Sequence, residues 1–206
     1  GATSVWYDLT AKRTFEWERG STFAIPLNAW HQHFNASGTE PCRYFALTSQ
    51  PVAFEIYRDP EFIYNTNHQF KDRFDPGDAE FFSNEGKYFT EYYGGILHSN
   101  FIPDIRKINL VAREKRGKGT RNMYIHMSGG SMLAHVSEFP IGRYKKAHRH
   151  GPGAHVFLLD STGYTLMWQE GEKPKRYDWH EGTVISPPAG AWHQHYNTGN
   201  QPCKFV

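Results

Sequence analysis

Cysteine is scarce in this chain, with only Cys42 and Cys203 among 206 residues. That excludes a disulfide framework as the source of stability. Each of the two follows a proline at an equivalent place in a repeat described below, so both read as reduced thiols of a cytosolic protein. Long apolar runs are missing too, as is the basic, apolar, small-residue progression of a secretion signal. No membrane segment is therefore expected, and the protein reads as soluble and intracellular. Charge of one sign is lacking, since the formal net charge is only +2. The densest basic run, Arg113 to Arg121 (REKRGKGTR), is broken by Glu114 and two glycines. It reads as a solvated loop and not as a nucleic-acid surface. Nucleophile motifs, phosphate-binding glycine loops and paired CxxC cysteines are absent, which argues against thiol chemistry and hydride transfer on a Rossmann fold.

What is present points to strands. Aromatics make up 16% of the chain, with 19 glycines and 12 prolines as turn formers. Short runs rich in aromatic and branched residues are bounded by Gly, Pro or charged turns at Lys107 to Ala112, Asn122 to Met127, Ser131 to Phe139, His155 to Leu159 and Tyr164 to Trp168. This spacing predicts a sandwich or small barrel, with almost no long amphipathic helix.

A repeat organises the whole. Gly1 to Asn35 aligns with Gly163 to Asn197 without a gap, matching Trp6 with Trp168, Trp17 with Trp179, Gly20 with Gly182, Pro26 with Pro188 and Asn35 with Asn197. The run Ala29-Trp30-His31-Gln32-His33 answers Ala191-Trp192-His193-Gln194-His195, and after one residue of slippage Pro41-Cys42 answers Pro202-Cys203. The chain thus holds two copies of one supersecondary unit. The expected division is an N-terminal unit over 1–50, an aromatic-rich connector over 51–104 and a C-terminal unit over 105–206. The first copy starts abruptly at Gly1 and the second stops at Val206, so a chain clipped at both ends is expected. Within the connector, the acidic start at Asp78 and the aromatic spacing predict one short helix, Tyr88 to Tyr93 adds aromatics, and Gly94-Gly95 is a stop signal.

The twelve histidines concentrate at His31/His33, His148/His150/His155 and His193/His195. Residues two apart on a strand share a face, so His148 and His150 can aim into one barrel, where a third imidazole from a distant strand completes a metal site. Around these residues the wording is specific. Gly142 precedes the pair His148-Arg149-His150, and Gly182-x5-Pro188-x-Gly190-x-x-His193-x3-Asn197 follows.

These two segments, in this order, resemble the two motifs of the cupin superfamily. The resemblance implies an all-β double-stranded β-helix, or jelly roll, present as two units of which the N-terminal one is incomplete in this chain. It also implies a divalent metal held by His148, His150 and His193. The family's usual glutamate ligand has no counterpart here. Either His155 makes the site all-histidine, or it stands beside a three-histidine site. In the first copy Asn28 replaces the motif glycine and His31 has no visible partners. His31 and His33 therefore mark either a metal-free structural barrel or a site completed by upstream strands.

The His-Arg-His and Pro-x-Gly-x-Trp-His-x-His-x-Asn wording is similar to gentisate 1,2-dioxygenase and related bicupin ring-cleaving enzymes. That likeness implies Fe(II), with Zn, Ni, Mn or Cu as alternatives. A neutral histidine set leaves coordination positions open, which suits a small anionic aromatic or keto-acid substrate together with dioxygen. Gln194, His195 and Tyr196 are then candidate catalytic groups. Trp192 and Asn197 are candidate substrate contacts, with core packing the alternative for Trp192. The competing readings are a non-oxidative metallocupin (isomerase, lyase or hydrolase) and a non-catalytic small-molecule-binding bicupin. By analogy, a homo-oligomer is expected.

Overall fold

The computed structural model describes residues 1–83, 85–89, 95–130 and 132–206. In chain order its strands are β1 (Ala2–Trp6), β2 (Lys12–Glu16), β3 (Thr22–Phe23), β4 (Trp30–Phe34), β5 (Lys87–Phe89), β6 (Ile96–His98), β7 (Phe101–Ile102) and β8 (Val111–Ala112). They continue as β9 (Arg121–His126), β10 (Ala134–Phe139), β11 (Val156–Phe157), β12 (Thr162–Trp168), β13 (Lys175–His180), β14 (Val184–Ile185), β15 (Trp192–Asn197) and β16 (Cys203–Phe205). Among the described residues there are two α-helices, α1 (Gln50–Tyr57), which starts one residue before the connector, and α2 (Pro60–Asn65), within it. The architecture is all-β, as the turn-punctuated aromatic runs predict. Among the described residues, no helix is long and apolar enough to cross a membrane.

The chain forms two compact units. One is residues 1–87, 98–105 and 126–133; the other is residues 88–97, 106–125 and 134–206. In the first unit, β2-β1-β4 is a three-stranded antiparallel sheet and β3 pairs with β7. Val5, Tyr7, Ala29 and Phe74 form its core, with Phe15, Ile25, Phe81 and Phe82 packed against them. In the second, β13-β12-β15 is the matching three-stranded sheet and β11 pairs with β14. A further sheet runs β16-β10-β9-β6-β5, with β8 also on β9. Phe139, Val156, Leu158, Trp179, Ile185, Cys203 and Phe205 make that unit's core.

The sequence repeat is a structural repeat down to its register. Ala2 faces Phe34 and Glu16, as Tyr164 faces Tyr196 and Asp178; Trp6 faces Trp30, as Trp168 faces Trp192. In each copy the Trp indole N–H donates to a threonine hydroxyl that is also bonded to the second histidine of the WHQH run. Trp17 reaches Thr3 at 2.8 Å and Thr3 reaches His33 at 2.7 Å. Trp179 reaches Thr165 at 3.1 Å and Thr165 reaches His195 at 2.8 Å. The asparagine that ends each motif holds the following turn in the same way. Asn35 Nδ2 donates to Glu40 O and Asn197 Nδ2 to Gln201 O, both at 2.8 Å.

The one motif departure in the first copy is conformationally neutral. Asn28 has φ 57° where Gly190 has φ 74°, and asparagine is among the few residues with side chains that visit the left-handed region readily. Its Nδ2 also donates to Thr66 O and His68 O.

The connector differs from expectation. It carries two helices, both before Asp78, because Pro51 and Pro60 sit in the first helical turn and the Asp59 side chain accepts from Phe62 N. The Asp78 segment is a series of turns that uses Asp75 and Asp78 as local acceptors. Phe81 and Phe82 from it pack on Phe74 and Phe15, which gives the aromatic spacing its physical cause. Gly94 and most of the Tyr88 to Tyr93 run lie outside the described residues. The strand expected over Lys107 to Ala112 shrinks to β8, preceded by a 3-10 turn at Ile105–Lys107.

Candidate metal centre

The site is made by a zipper of backbone hydrogen bonds between β15 and the segment Arg143 to His150. Asn197 N donates to Arg143 O at 2.9 Å and Lys145 N to His195 O at 3.0 Å. His148 and His193 exchange both of their backbone bonds, at 3.1 and 2.9 Å, and Gly190 N reaches His150 O at 2.9 Å. Two segments more than forty residues apart in sequence thereby hold three imidazoles together. The ring centroids of His148 and His193 are 4.3 Å apart, those of His150 and His193 5.0 Å, and those of His148 and His150 6.0 Å. One ligating atom from each lies within 4.8 Å of the others.

Each of the three rings has Nδ1 against a backbone carbonyl. His148 bonds Lys146 O at 3.0 Å, His150 bonds Pro152 O at 2.6 Å and His193 bonds Ala191 O at 3.1 Å. A carbonyl can only accept, so Nδ1 carries the proton and Nε2 is left with its lone pair, which is the tautomer a metal requires. Burial drives the His148 pKa down to about 4 and lowers that of His193, with the Lys146 and Ala191 carbonyls opposing. Those two rings are therefore neutral donors at pH 7. This donor set fits a divalent cation with imidazole preference. His31 carries the same preset, its Nδ1 3.3 Å from Ala29 O, and lies 5.4 Å from His33 ring to ring. No cluster of three ligands forms around it among the described residues.

Several expected site residues fall elsewhere. His155 is exposed, and its Nδ1 is engaged by Ser186 Oγ at 2.7 Å. It is not one of the three clustered ligands. Along β15 the burial alternates, with His193, His195 and Asn197 inward and Trp192, Gln194 and Tyr196 on the opposite face. Trp192 stacks with Trp168, donates to Glu170 and lies under the Arg149 guanidinium. Tyr196 stacks on Tyr164 and donates to Gln194 Oε1 at 2.8 Å. The two-residue period that joins the histidines takes these three to the opposite face of β15, where they are half-buried against neighbouring side chains. Asn197 is 2% exposed, and its amide is consumed by Ser161 Oγ and the carbonyls of Pro140 and Gln201. Its amide acts as a turn staple. His195 is buried on Thr165, and burial lowers its pKa well below the ordinary histidine value. It braces β15 one step behind His193, at 5.7 Å ring to ring. We expect Gln194→Ala and Tyr196→Phe to leave metal affinity within about twofold of wild type by titration calorimetry, because neither side chain faces the site. A tenfold loss in either would show that the outer face communicates with the histidines.

A cavity of about 210 Å³ opens on His148 and His150 and is lined also by Arg113, Arg116, Thr120, Asn122, Tyr124, His135, Ser137 and Lys145. Its walls follow strand parity. Asn122 and Tyr124 of β9 sit directly across from Ser137 and His135 of β10. Sequence reasoning missed every one of these wall residues, and it placed Arg113 and Arg116 in a solvated loop. Their signal would have been the period-two alternation in NMY and HVS, which is too short to stand out without the histidines beside it. Lys145 is 4% exposed, with Nζ 3.0 Å from Ser137 Oγ and 4.6 Å from the Phe205 ring centroid. Burial, aided by Arg116, brings its pKa down to about 7. Burial, with Lys145 and Arg116 adding to it, likewise takes His135 to about 3.

Residues 135–206 match the cupin domain family. Among solved structures, the chain is similar to a predicted oxalate decarboxylase from Thermotoga maritima at 21% identity, over 48% of this chain and 90% of that one, with a TM-score of 0.41. It is also similar to the Lactobacillus farciminis oxalate decarboxylase in its formate complex, at 14% identity over 52% of this chain and 32% of that one, TM-score 0.43. A third is the Schizosaccharomyces pombe Cnp3 cupin domain, at 12% identity over 59% and 82%, TM-score 0.43. The chain thus spans about a third of the length of the Lactobacillus enzyme. No curated protein matches it. The stretch that matches the cupin domain family, residues 135–206, contains all three clustered histidines.

Proposed function

We propose that the C-terminal unit is a metal-dependent oxidoreductase, a non-haem Fe(II) dioxygenase acting on a small aromatic or keto-acid substrate. The observation that carries this reading is the common tautomer of His148, His150 and His193, each with Nδ1 on a carbonyl and Nε2 free. The likeness of the two motifs to gentisate 1,2-dioxygenase and its relatives adds the reaction class. A three-histidine set contributes no negative charge, so a bound divalent ion would keep its charge and open positions and supply the redox and Lewis-acid chemistry.

The chain's own residues do the rest. The carbonyls of Lys146, Pro152 and Ala191 hold the rings in place, and Thr165 and Trp179 brace β15 behind His193 through His195. Phe205, Phe139 and Leu158 keep water from the inner side of the barrel. No strong acid or base is required of the protein, and none of the cavity-lining residues is a carboxylate.

The test is anaerobic loading with Fe(II) followed by oxygen uptake against gentisate, salicylate, catechol, pyruvate and a β-diketone. Uptake with at least one acid, lost on chelation and restored by iron, is the expected result. No uptake with one iron per chain bound would replace this reading with the non-oxidative metallocupin.

A further inference from the structure

The cavity beside the three histidines is lined by three cationic side chains, Arg113, Arg116 and Lys145, and by no carboxylate. Lys145 is buried, its Nζ donating to a neutral serine hydroxyl and lying over the Phe205 ring, and no carboxylate lies within ion-pair distance of Lys145, Arg113 or Arg116 among the described residues. Burial without a counter-charge is unfavourable for an ammonium group. Two further groups in the same wall lack partners, since Thr120 Oγ1 and Asn122 Oδ1 are buried with no hydrogen bond. Thr120 is 1% exposed and Asn122 5%. Unsatisfied buried polar atoms are rare enough that two side by side in one cavity wall need a reason. A metal ion on the histidines would satisfy neither the cations nor these two atoms. It would add positive charge to the same space.

We infer that this cavity is a carboxylate subsite, in which Lys145 and Arg116 bind the carboxylate of a small organic acid, Thr120 donates its hydroxyl to it, and the rest of the acid is directed toward His148 and His150. The inference rests on the reading of the histidines as the reactive end and adds the other end of the substrate. Size restricts the ligand. At about 210 Å³ the space is below the roughly 300–1,000 Å³ of sites for drug-sized molecules, so a single-ring or short-chain acid fits and a peptide, nucleotide or lipid does not. Chemistry restricts it as well, because a guanidinium and an ammonium converging on one space suit a planar carboxylate. Arg113 lines the same cavity and adds to its positive field.

The test uses metal-free protein, so that it reads the subsite and not turnover. Benzoate, salicylate and pyruvate are titrated calorimetrically into the chelated full chain, with benzamide as the neutral control. At least one acid is expected to bind and benzamide is not. Lys145→Met, which keeps the stem and removes the charge, and Arg116→Met are each expected to weaken binding about tenfold to a hundredfold, the loss of one charge-assisted hydrogen bond. Lys145→Arg should recover part of it. Circular dichroism of each variant separates lost binding from lost folding. Benzamide binding as tightly as benzoate, no acid binding at millimolar concentration, or unchanged affinity in both methionine variants would each overturn the assignment. Metal titration of the same protein without acid reads the histidines independently. Failure there, with benzoate still bound, would remove the proposed activity and leave the carboxylate subsite standing.

Discussion

Gly163→Ala is expected to unfold the C-terminal unit or cost it on the order of 4 kcal/mol or more, the upper end of what single substitutions do. A Cβ at this position would lie 2.0 Å from Tyr196 O and 2.5 Å from the Trp179 ring. Neither neighbour can yield. The carbonyl belongs to the β12–β15 ladder that sets the register of His193, and Trp179 is 3% exposed and bonded through Thr165 to His195. Small domains have only about 5–15 kcal/mol to lose. Gly182→Ala is the comparison, since that glycine has φ 82° with nothing near its absent side chain. The cost there is the left-handed backbone alone, about 1–2 kcal/mol. Urea denaturation followed by tryptophan fluorescence measures both. A Gly163→Ala midpoint close to wild type would mean that β12 and β15 are not packed as described. The first copy makes the same demand at Gly1, where a Cβ would meet Trp17 and Phe34 O.

His193→Ala is expected to lower divalent-metal affinity by on the order of 10²–10³-fold. Structural zinc sites gain about 10–16 kcal/mol from four ligands, so one ligand corresponds to about 3–4 kcal/mol, and every 1.4 kcal/mol is tenfold. His193 is also the ring nearest to both others, so its loss leaves His148 and His150 at 6.0 Å with no third donor. His155→Ala should leave the affinity nearly unchanged, because it stands outside the cluster. Competition with a chromophoric chelator gives both affinities. Equal losses in the two variants would place His155 in the coordination set after all, and no loss in His193→Ala would end the three-histidine centre.

The histidine triad could be read from the chain because its rules are local. His148 and His150 share a strand face at a separation of two residues, and the zipper that brings His193 to them is encoded in motifs with defined glycine and proline positions. The same rule, applied one residue further, would have sent Trp192, Gln194 and Tyr196 to the other face. Proximity in sequence to His193 is therefore not proximity in space for these three. Asn197 is ambiguous for a different reason. A motif asparagine carries two donors and an acceptor that suit either a ligand or a turn, and only the carbonyls of Pro140 and Gln201 around it decide which.

The amino-acid sequence by itself determined that this chain is built from strands, that one strand-turn unit occurs twice in one register, and that three particular imidazoles belong together. These properties rest on periods of two and on turn residues that act within a few positions of themselves. Tertiary structure alone decided that Arg113, Arg116 and Thr120 of the otherwise mostly exposed run REKRGKGTR line a wall, that Lys145 is buried, and that His135, Thr120 and Asn122 share one cavity. Those positions come from separate strands and loops whose meeting depends on how sheets pack, and packing leaves no periodic trace in any one of them.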